Sequence, residues 1–246
     1  MNDAIHPALI RNNVAVITGG ADGIGLAIAM KLATLGLKLV LADISAEKLE
    51  TAASELTSAG GVAAADVMTR VTDVADLASV EALRDETLSR FGQVDVLINN
   101  AGTSGRNGAF SDYAVWQRII NTNLWGMING VHSFLPVMVA QQRPGLVINT
   151  GSKQGITAPP GNPAYNVSKG GIKMVTEALA HELRNTPDAD ISVHLLIPGF
   201  TYTGMMKQVM AEKPADAWWP EQVADFMLES LQRGDFYILC PDNAVP

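Results

Sequence analysis

The chain has 246 residues, 48% of them hydrophobic and 17% charged, with 17 basic and 25 acidic side chains for a formal net charge of −8. That acidic balance argues against binding to a nucleic-acid backbone, which needs a concentrated basic face, and a chain this long buries enough surface to need no disulfide or metal staple. Cys240 is the only cysteine, so an intrachain disulfide is excluded and a reducing, cytoplasmic setting is expected. The opening MNDAIHPALI lacks the basic and apolar regions of a secretory signal. The most apolar stretch, Ile24 to Ala42, is interrupted by Lys31, Gly36 and Lys38, the wrong pattern for a membrane span.

Short apolar runs alternate with segments of helical period. Val14 to Ile17 reads as a strand stopped by Thr18-Gly19-Gly20, and Ile24 to Leu35 as a helix ended by Gly36. Leu37 to Ala42 is the next strand, and Ser45 is placed to cap the helix after it. The alternation continues with strand Val67–Val71, a helix near Leu77 to Phe91 and strand Val94–Ile98. It then runs through a helix near Tyr113 to Phe134, strand Leu146–Ile148, a helix near Ala164 to Leu183, and strands Ile191–Ile197 and Phe236–Leu239. Strands apolar on both faces, each followed by a helix, predict an α/β fold: a parallel sheet of about seven strands with helices on both faces. Right-handed crossovers make such a sheet doubly wound and bring ligands to the carboxyl ends of its strands. No linker, charge run or repeat divides the chain, so residues 1–246 read as one domain.

The first strand runs into Thr18-Gly19-Gly20-Ala21-Asp22-Gly23-Ile24-Gly25 and a helix. Glycine there lets backbone amides approach a pyrophosphate, and the helix N-terminus supplies partial positive charge. The spacing is G-x-x-x-G-x-G, and an ordinary glycine turn would also fit it. Asp43 closes the second strand eighteen residues after Gly25, where a carboxylate hydrogen-bonds ribose hydroxyls and repels a 2′-phosphate. Asp22 is a second acidic group at that end, and with no arginine nearby the pair favours NAD over NADP. Asp73-Val74 and Asn99-Asn100-Ala101-Gly102 follow strands on the same edge; alone, each is a turn.

Tyr165 and Lys169 lie one helical turn apart. Ser152 sits just past a strand, thirteen residues before Tyr165, and Asn123 interrupts a predicted helix in which its propensity is poor. By itself the Tyr-x-x-x-Lys pair is common by chance, and a surface lysine over a packed tyrosine is then the better reading.

Taken together and in this order, from about residue 12 to 205, these motifs resemble the short-chain dehydrogenase/reductase family. The resemblance is to its single-domain branch of roughly 250 residues with a Rossmann-type sheet. Thr18, Gly19, Gly23 and Gly25 match its glycine-rich loop, which includes Asp22 and Ile24. Asn100, Ala101 and Gly102, with Asn99, match the motif after its fourth strand. Asn123, Ser152, Tyr165 and Lys169 match its catalytic tetrad, and Pro198-Gly199 followed by Thr203 matches the segment that holds the nicotinamide. The resemblance implies that Tyr165 is the general acid/base and that Ser152 holds the substrate oxygen. It also implies that Lys169 contacts the nicotinamide ribose, that Asn123 anchors a relay water, and that Asp73 and Val74 meet the adenine. A free phenol has a pKa of about 10, and lowering it by about three units needs roughly 4 kcal/mol, within reach of two nearby cations.

The expected activity is therefore NAD-dependent interconversion of a small-molecule secondary alcohol and its ketone, running toward oxidation. The alternatives are an NAD(P)H-dependent carbonyl or 3-oxoacyl reductase and a non-catalytic dinucleotide-sensing module. A sugar epimerase would need a longer substrate region after Pro198. Residues of about 200–220, with Met205, Met206, Met210, Trp218 and Trp219, are either a substrate lid or an amphipathic helix packed on the core. Lys153 reads as a solvated lysine or as a contact for an acidic substrate. Histidines 6, 132, 181 and 194 show no ligand spacing, so no metal is expected. His194 reads as a hydrogen-bonded structural residue and Cys240 as a packed one. The segment after Phe236 lacks the glycine-rich tail that helps relatives form tetramers. A homodimer through the helices near Asn123 and Tyr165 is expected, with a tetramer possible and a truncated natural end an equal explanation of the missing tail.

Overall fold

A computed structural model describes residues 5–59, 61–110, 113–207 and 209–243. β1 (Val14–Thr18), β2 (Lys38–Asp43), β3 (Val67–Val71), β4 (Val96–Asn99), β5 (Gly145–Thr150), β6 (Ile191–Ile197) and β7 (Tyr237–Leu239) form one sheet in the order β3-β2-β1-β4-β5-β6-β7. Each neighbouring pair is parallel. The predicted seven-stranded, doubly wound α/β fold is what forms, and the strand order reverses between β1 and β4, the usual place for a ligand crevice.

β1 and β5 are buried along their whole length, so side chains of both parities need cover. Ala15 and Ile17 meet α1 (Gly23–Thr34), α2 (Ala46–Ser58) and α9 (Pro220–Arg233) on one face. Val14 and Val16 meet α3 (Leu77–Phe91), α5 (Gly126–Ala140) and α7 (Pro163–Arg184) on the other. Phe134 of α5 is fully buried there, and a side chain of that size contributes about 1.5–3 kcal/mol. Helix ends follow local chemistry. Ser45 does cap α2, accepting from the Lys48 amide at 3.3 Å, and Asp76 caps α3. Pro163 and Pro220 occupy first-turn positions, where a missing N–H costs nothing.

Three departures matter for the site. The expected helix over Tyr113–Phe134 is α4 (Tyr113–Ile120), a π-helical turn at Asn121–Trp125 and then α5. The Gly126 amide reaches back five residues to the Asn121 carbonyl, and such one-turn bulges re-aim side chains. Among its described residues the Met/Trp segment holds the short α8 (Gly204–Lys207) and no longer amphipathic helix; Tyr202 and Ala217 are buried, and Trp218 packs against the core. Short α6 (Gln154–Thr157) and the long α9 were not anticipated.

Candidate active site

The β1–α1 turn lies at the switch point. Gly19 has φ +62°, in the left-handed region that suits glycine. A Cβ on Gly25 would lie 2.1 Å from the Gly19 carbonyl oxygen and 2.6 Å from Asn100 Nδ2, so only glycine lets the start of α1 fold back onto this turn. Asn100 Nδ2 donates to the carbonyls of Thr18 and Gly19 at 3.2 and 3.1 Å. The Thr18 hydroxyl accepts from the amides of Asn100 and Ala101. Thr18 and Asn100 therefore clamp β1 to β4 and hold the turn open at the N-terminus of a twelve-residue helix. A glycine-rich turn at a helix N-terminus suits a dinucleotide pyrophosphate. Gly102 lies beyond the clamp beside Asn123 and Lys169, and Ile24 is half-buried in the first turn of α1.

At the ribose end the acidic pair is not alone. Asp22 caps α1, accepting from the Gly23 amide at 2.6 Å, and its other oxygen pairs with Lys48 Nζ at 2.7 Å. Its carboxylate thus serves the helix and a lysine, a cation absent from the expectation of two acids with no arginine nearby. Asp43 stands at the end of β2 and accepts from the Ser45 amide at 3.1 Å. The Lys48 ammonium is held protonated chiefly by its hydrogen bond to Asp22, with Asp43 contributing more weakly. Asp73 is exposed, with its carboxylate folded onto the Ala75 amide at 2.9 Å. The Val74 side chain is buried among the α3 and α5 residues, and its carbonyl accepts from Asn129, so that side chain faces the core and not the cleft.

The π turn swings Asn123 inward. Its Oδ1 accepts from the Thr103 amide at 2.7 Å, and its Nδ2 donates to the Thr103 carbonyl and the Ser168 hydroxyl at 2.9 and 3.0 Å. Asn123 thereby links the loop after β4 to α7. Ser152 follows β5, and its Oγ accepts from the Gln154 amide at 3.2 Å. Gly155 makes the close approach of this loop to α7 possible, since a Cβ there would lie 2.7 Å from the Lys169 carbonyl carbon.

On α7, Tyr165 and Lys169 do share a face, with Lys169 Nζ 5.6 Å from the phenol ring centre. Burial pushes the Tyr165 phenol up, and its hydrogen bond to Ser152 works in the opposite direction. Lys169 is buried, donates to the Thr150 carbonyl at 2.8 Å, and is pulled down by burial to about 8. The lysine expected to lower the phenol is itself buried, and burial acts on both groups against their charged forms.

Pro198 and Gly199 follow β6, with Gly199 against Asp242, and Thr203 stands against the glycine turn, where a Cβ on Gly23 would touch its side chain at 3.1 Å. Lys153 is half-buried, and its Nζ pairs with Asp242 at 3.0 Å. A cavity of about 460 Å³ opens between Asn107–Ala109 and Ala158–Gly161, and its wall includes Asn166 and Val167, the two residues after Tyr165. Sequence reasoning missed Lys48, Thr103, Thr150, Ser168 and Asp242, each of which acts on the site through a fold-dependent contact. Among the described residues no group of three or more His, Cys, Asp or Glu is arranged to hold a metal, and no helix is long and apolar enough to cross a membrane. His194 is hydrogen-bonded to the Asp235 carbonyl, and Cys240 is buried, its thiol pushed up to about 12 by that burial.

Residues 13–214 match the family model described as short chain dehydrogenase, and the chain belongs to the short-chain dehydrogenase/reductase family. A crystal structure of a short chain dehydrogenase/reductase from Burkholderia phymatum in complex with NAD is 33% identical, covers 94% of this chain and 89% of its own, and superposes with a TM-score of 0.86. Levodione reductase of Leifsonia aquatica is 35% identical over 212 residues, 84% of this chain and 77% of the relative. The 1-deoxy-11-beta-hydroxypentalenate dehydrogenase of Streptomyces exfoliatus is 30% identical over 245 residues, 96% of this chain and 85% of the relative. The family is one of oxidoreductases acting on small molecules with a nicotinamide dinucleotide, NAD or NADP.

Proposed function

We propose that this protein interconverts a secondary alcohol and its ketone with NAD, Tyr165 exchanging the hydroxyl proton. The observation that carries this reading is the convergence of Ser152, Tyr165 and Lys169, braced by Asn123, at the strand ends beside a glycine turn built for a pyrophosphate. The bound dinucleotide supplies the hydride acceptor.

Ser152 accepts from the Gln154 amide, so its own proton points away, toward Tyr165 or a substrate oxygen. Tyr165 holds its proton in the buried site and is ready to donate it to a ketone oxygen; as a base for oxidation it needs cationic surroundings. Lys169 uses one of its three protons on Thr150, leaving two for ribose hydroxyls or water. The Asn123 side chain is fully engaged with Thr103 and Ser168, so a relay water at this residue falls to its main chain. Asp43 at the end of β2 supports NAD over NADP. Asp73, Ile24, Asn100, Ala101, Gly102, Pro198, Gly199 and Thr203 complete the cofactor cleft on this reading.

The chain acts as a single domain, with residues of about 200–220 as a lid. It functions as a homodimer, a reading supported by exposed Trp125, Val167 and Met174 along the π turn and α7. A cytoplasmic setting suits its lone buried thiol. Lys48 beside Asp22 favours a second reading, carbonyl or 3-oxoacyl reduction with NADPH. The deciding experiment follows NADH absorbance from NAD⁺ across secondary alcohols of graded size, with the same panel run on Tyr165→Phe. Turnover by the native chain, lost in the variant while NADH binding persists, supports the proposal. Turnover only with NADPH and ketones supports the second reading, and NADH binding with no turnover in either direction sinks both.

A further inference from the structure

We propose that the ion pair between buried Asp242 and half-buried Lys153 is a positioning device that locks the Ser152 loop to the Pro198–Phe200 segment, and so sets the substrate oxygen against the reacting face of the cofactor. The inference rests on the reading of Ser152 and of that segment given above.

Asp242 follows β7 and is 9% exposed. Its Oδ2 accepts from Lys153 Nζ at 3.0 Å and from the Phe200 amide at 3.1 Å. The carboxylate gets this close because residue 199 is glycine; a Cβ there would stand 2.4 Å from Oδ2. The Lys153 amide also donates to the Pro198 carbonyl at 3.2 Å. The residue directly after Ser152 is thus tied twice to one short segment, once by its backbone and once through Asp242.

Asn243 extends the tie to the lid base. Its Oδ1 accepts from Trp218 Nε1 at 3.1 Å, its Nδ2 donates to the Ala215 carbonyl at 2.6 Å, and its amide donates to the Asp216 carbonyl. Trp218 donates in turn to the Phe200 carbonyl at 2.8 Å, which closes a ring of contacts through three loops. Those loops carry the hydroxyl that would hold the substrate, the segment that would hold the nicotinamide, and the base of the lid. A displacement of about 1 Å between reacting groups costs up to roughly a hundredfold in rate. Removing either partner breaks the same tie between the two segments, so the two residues act as a unit.

The test compares Asp242→Ala, Lys153→Met, the double variant and Lys153→Arg with the native chain. Each is read by kcat and KM for a turned-over alcohol, by NADH affinity, and by amide exchange of residues 152–155 and 199–203 in the NADH complex. Each single break should lower kcat/KM roughly 10- to 100-fold while NADH affinity holds, and exchange should speed up in both segments together. The double variant should lose no more than the worse single one, and Lys153→Arg should keep most of the activity. A lower melting point with unchanged kcat/KM and unchanged exchange would overturn the device and leave a purely structural pair. Faster exchange in one segment alone would also overturn it. If Asp242→Ala does not fold, Lys153→Met decides the same question. Should the native chain turn over no alcohol, the activity reading fails, and joint exchange of the two segments still decides the lock.

Discussion

Lys169 donates to the Thr150 carbonyl at 2.8 Å while its ammonium stands 5.6 Å from the centre of the Tyr165 ring. The cation nearest the phenol is thus anchored to the end of β5, and it is buried. Burial lowers Lys169 from its ordinary value to about 8. Between about pH 8 and the unfolded lysine value of about 10.4, the unfolded chain binds more protons than the folded one, so stability rises with pH across that window. Lys169→Met removes this rise, raises the neutral-pH melting point of the ligand-free protein, and abolishes turnover. Melting curves from pH 7 to 10 check it; an unchanged slope in the variant would refute the assignment.

Cofactor choice turns on charge at the end of β2. Asp43→Ala should narrow the gap between NADH and NADPH affinities, because it removes both a ribose partner and a repulsive charge. Lys48→Ala should widen it, since the cation 2.7 Å from Asp22 is the one group there that would welcome a 2′-phosphate. Dissociation constants for both dinucleotides measure the two effects, and tighter native binding of NADPH would reverse the preference.

Gly25→Ala places a methyl 2.1 Å from a backbone oxygen that the Asn100 clamp holds in place. Overpacking of this kind costs about 1–3 kcal/mol, and the shifted turn should lose dinucleotide binding as well. Calorimetry with and without NADH reads both; full NADH affinity in the variant would show that the turn tolerates the strain.

His6 accepts from the Ala8 amide, hydrogen-bonds Ser192, and meets the His194 ring edge-on at 6.2 Å. Burial, with His194 adding to it and Asp190 opposing, lowers His6 to about 4. The unfolded chain binds more protons from about pH 6.5 down to 4, so stability falls as the solution is acidified through that range. His6→Asn should flatten this dependence without removing it, because burial lowers His194 as well. Urea midpoints at pH 5 and 7 give the comparison.

The strands were legible because burial on both faces leaves uninterrupted apolar runs such as Val14–Ile17, and the turn-apart placing of Tyr165 and Lys169 because helical period fixes it. The π turn was not, since its residues differ from those of an ordinary helix only in which carbonyl the Gly126 amide chooses. α9 left a readable signal that went unused: Pro220 at its start, Val223, Met227 and Leu231 along one face, and Gly234 at φ +78° after its end. Lys48 and Asp242 gave none, because their partners lie 26 and 89 residues away and only the folded sheet brings them together.

The Thr18–Asn100 clamp spans 82 residues of chain. During synthesis the glycine turn and α1 leave the ribosome long before β4 exists. Until β4 arrives, the Thr18 hydroxyl lacks the Asn100 and Ala101 amides, and the Gly19 carbonyl lacks its donor. The two walls of the dinucleotide cleft are therefore made at different times, and the crevice comes into being only when the halves of the sheet join.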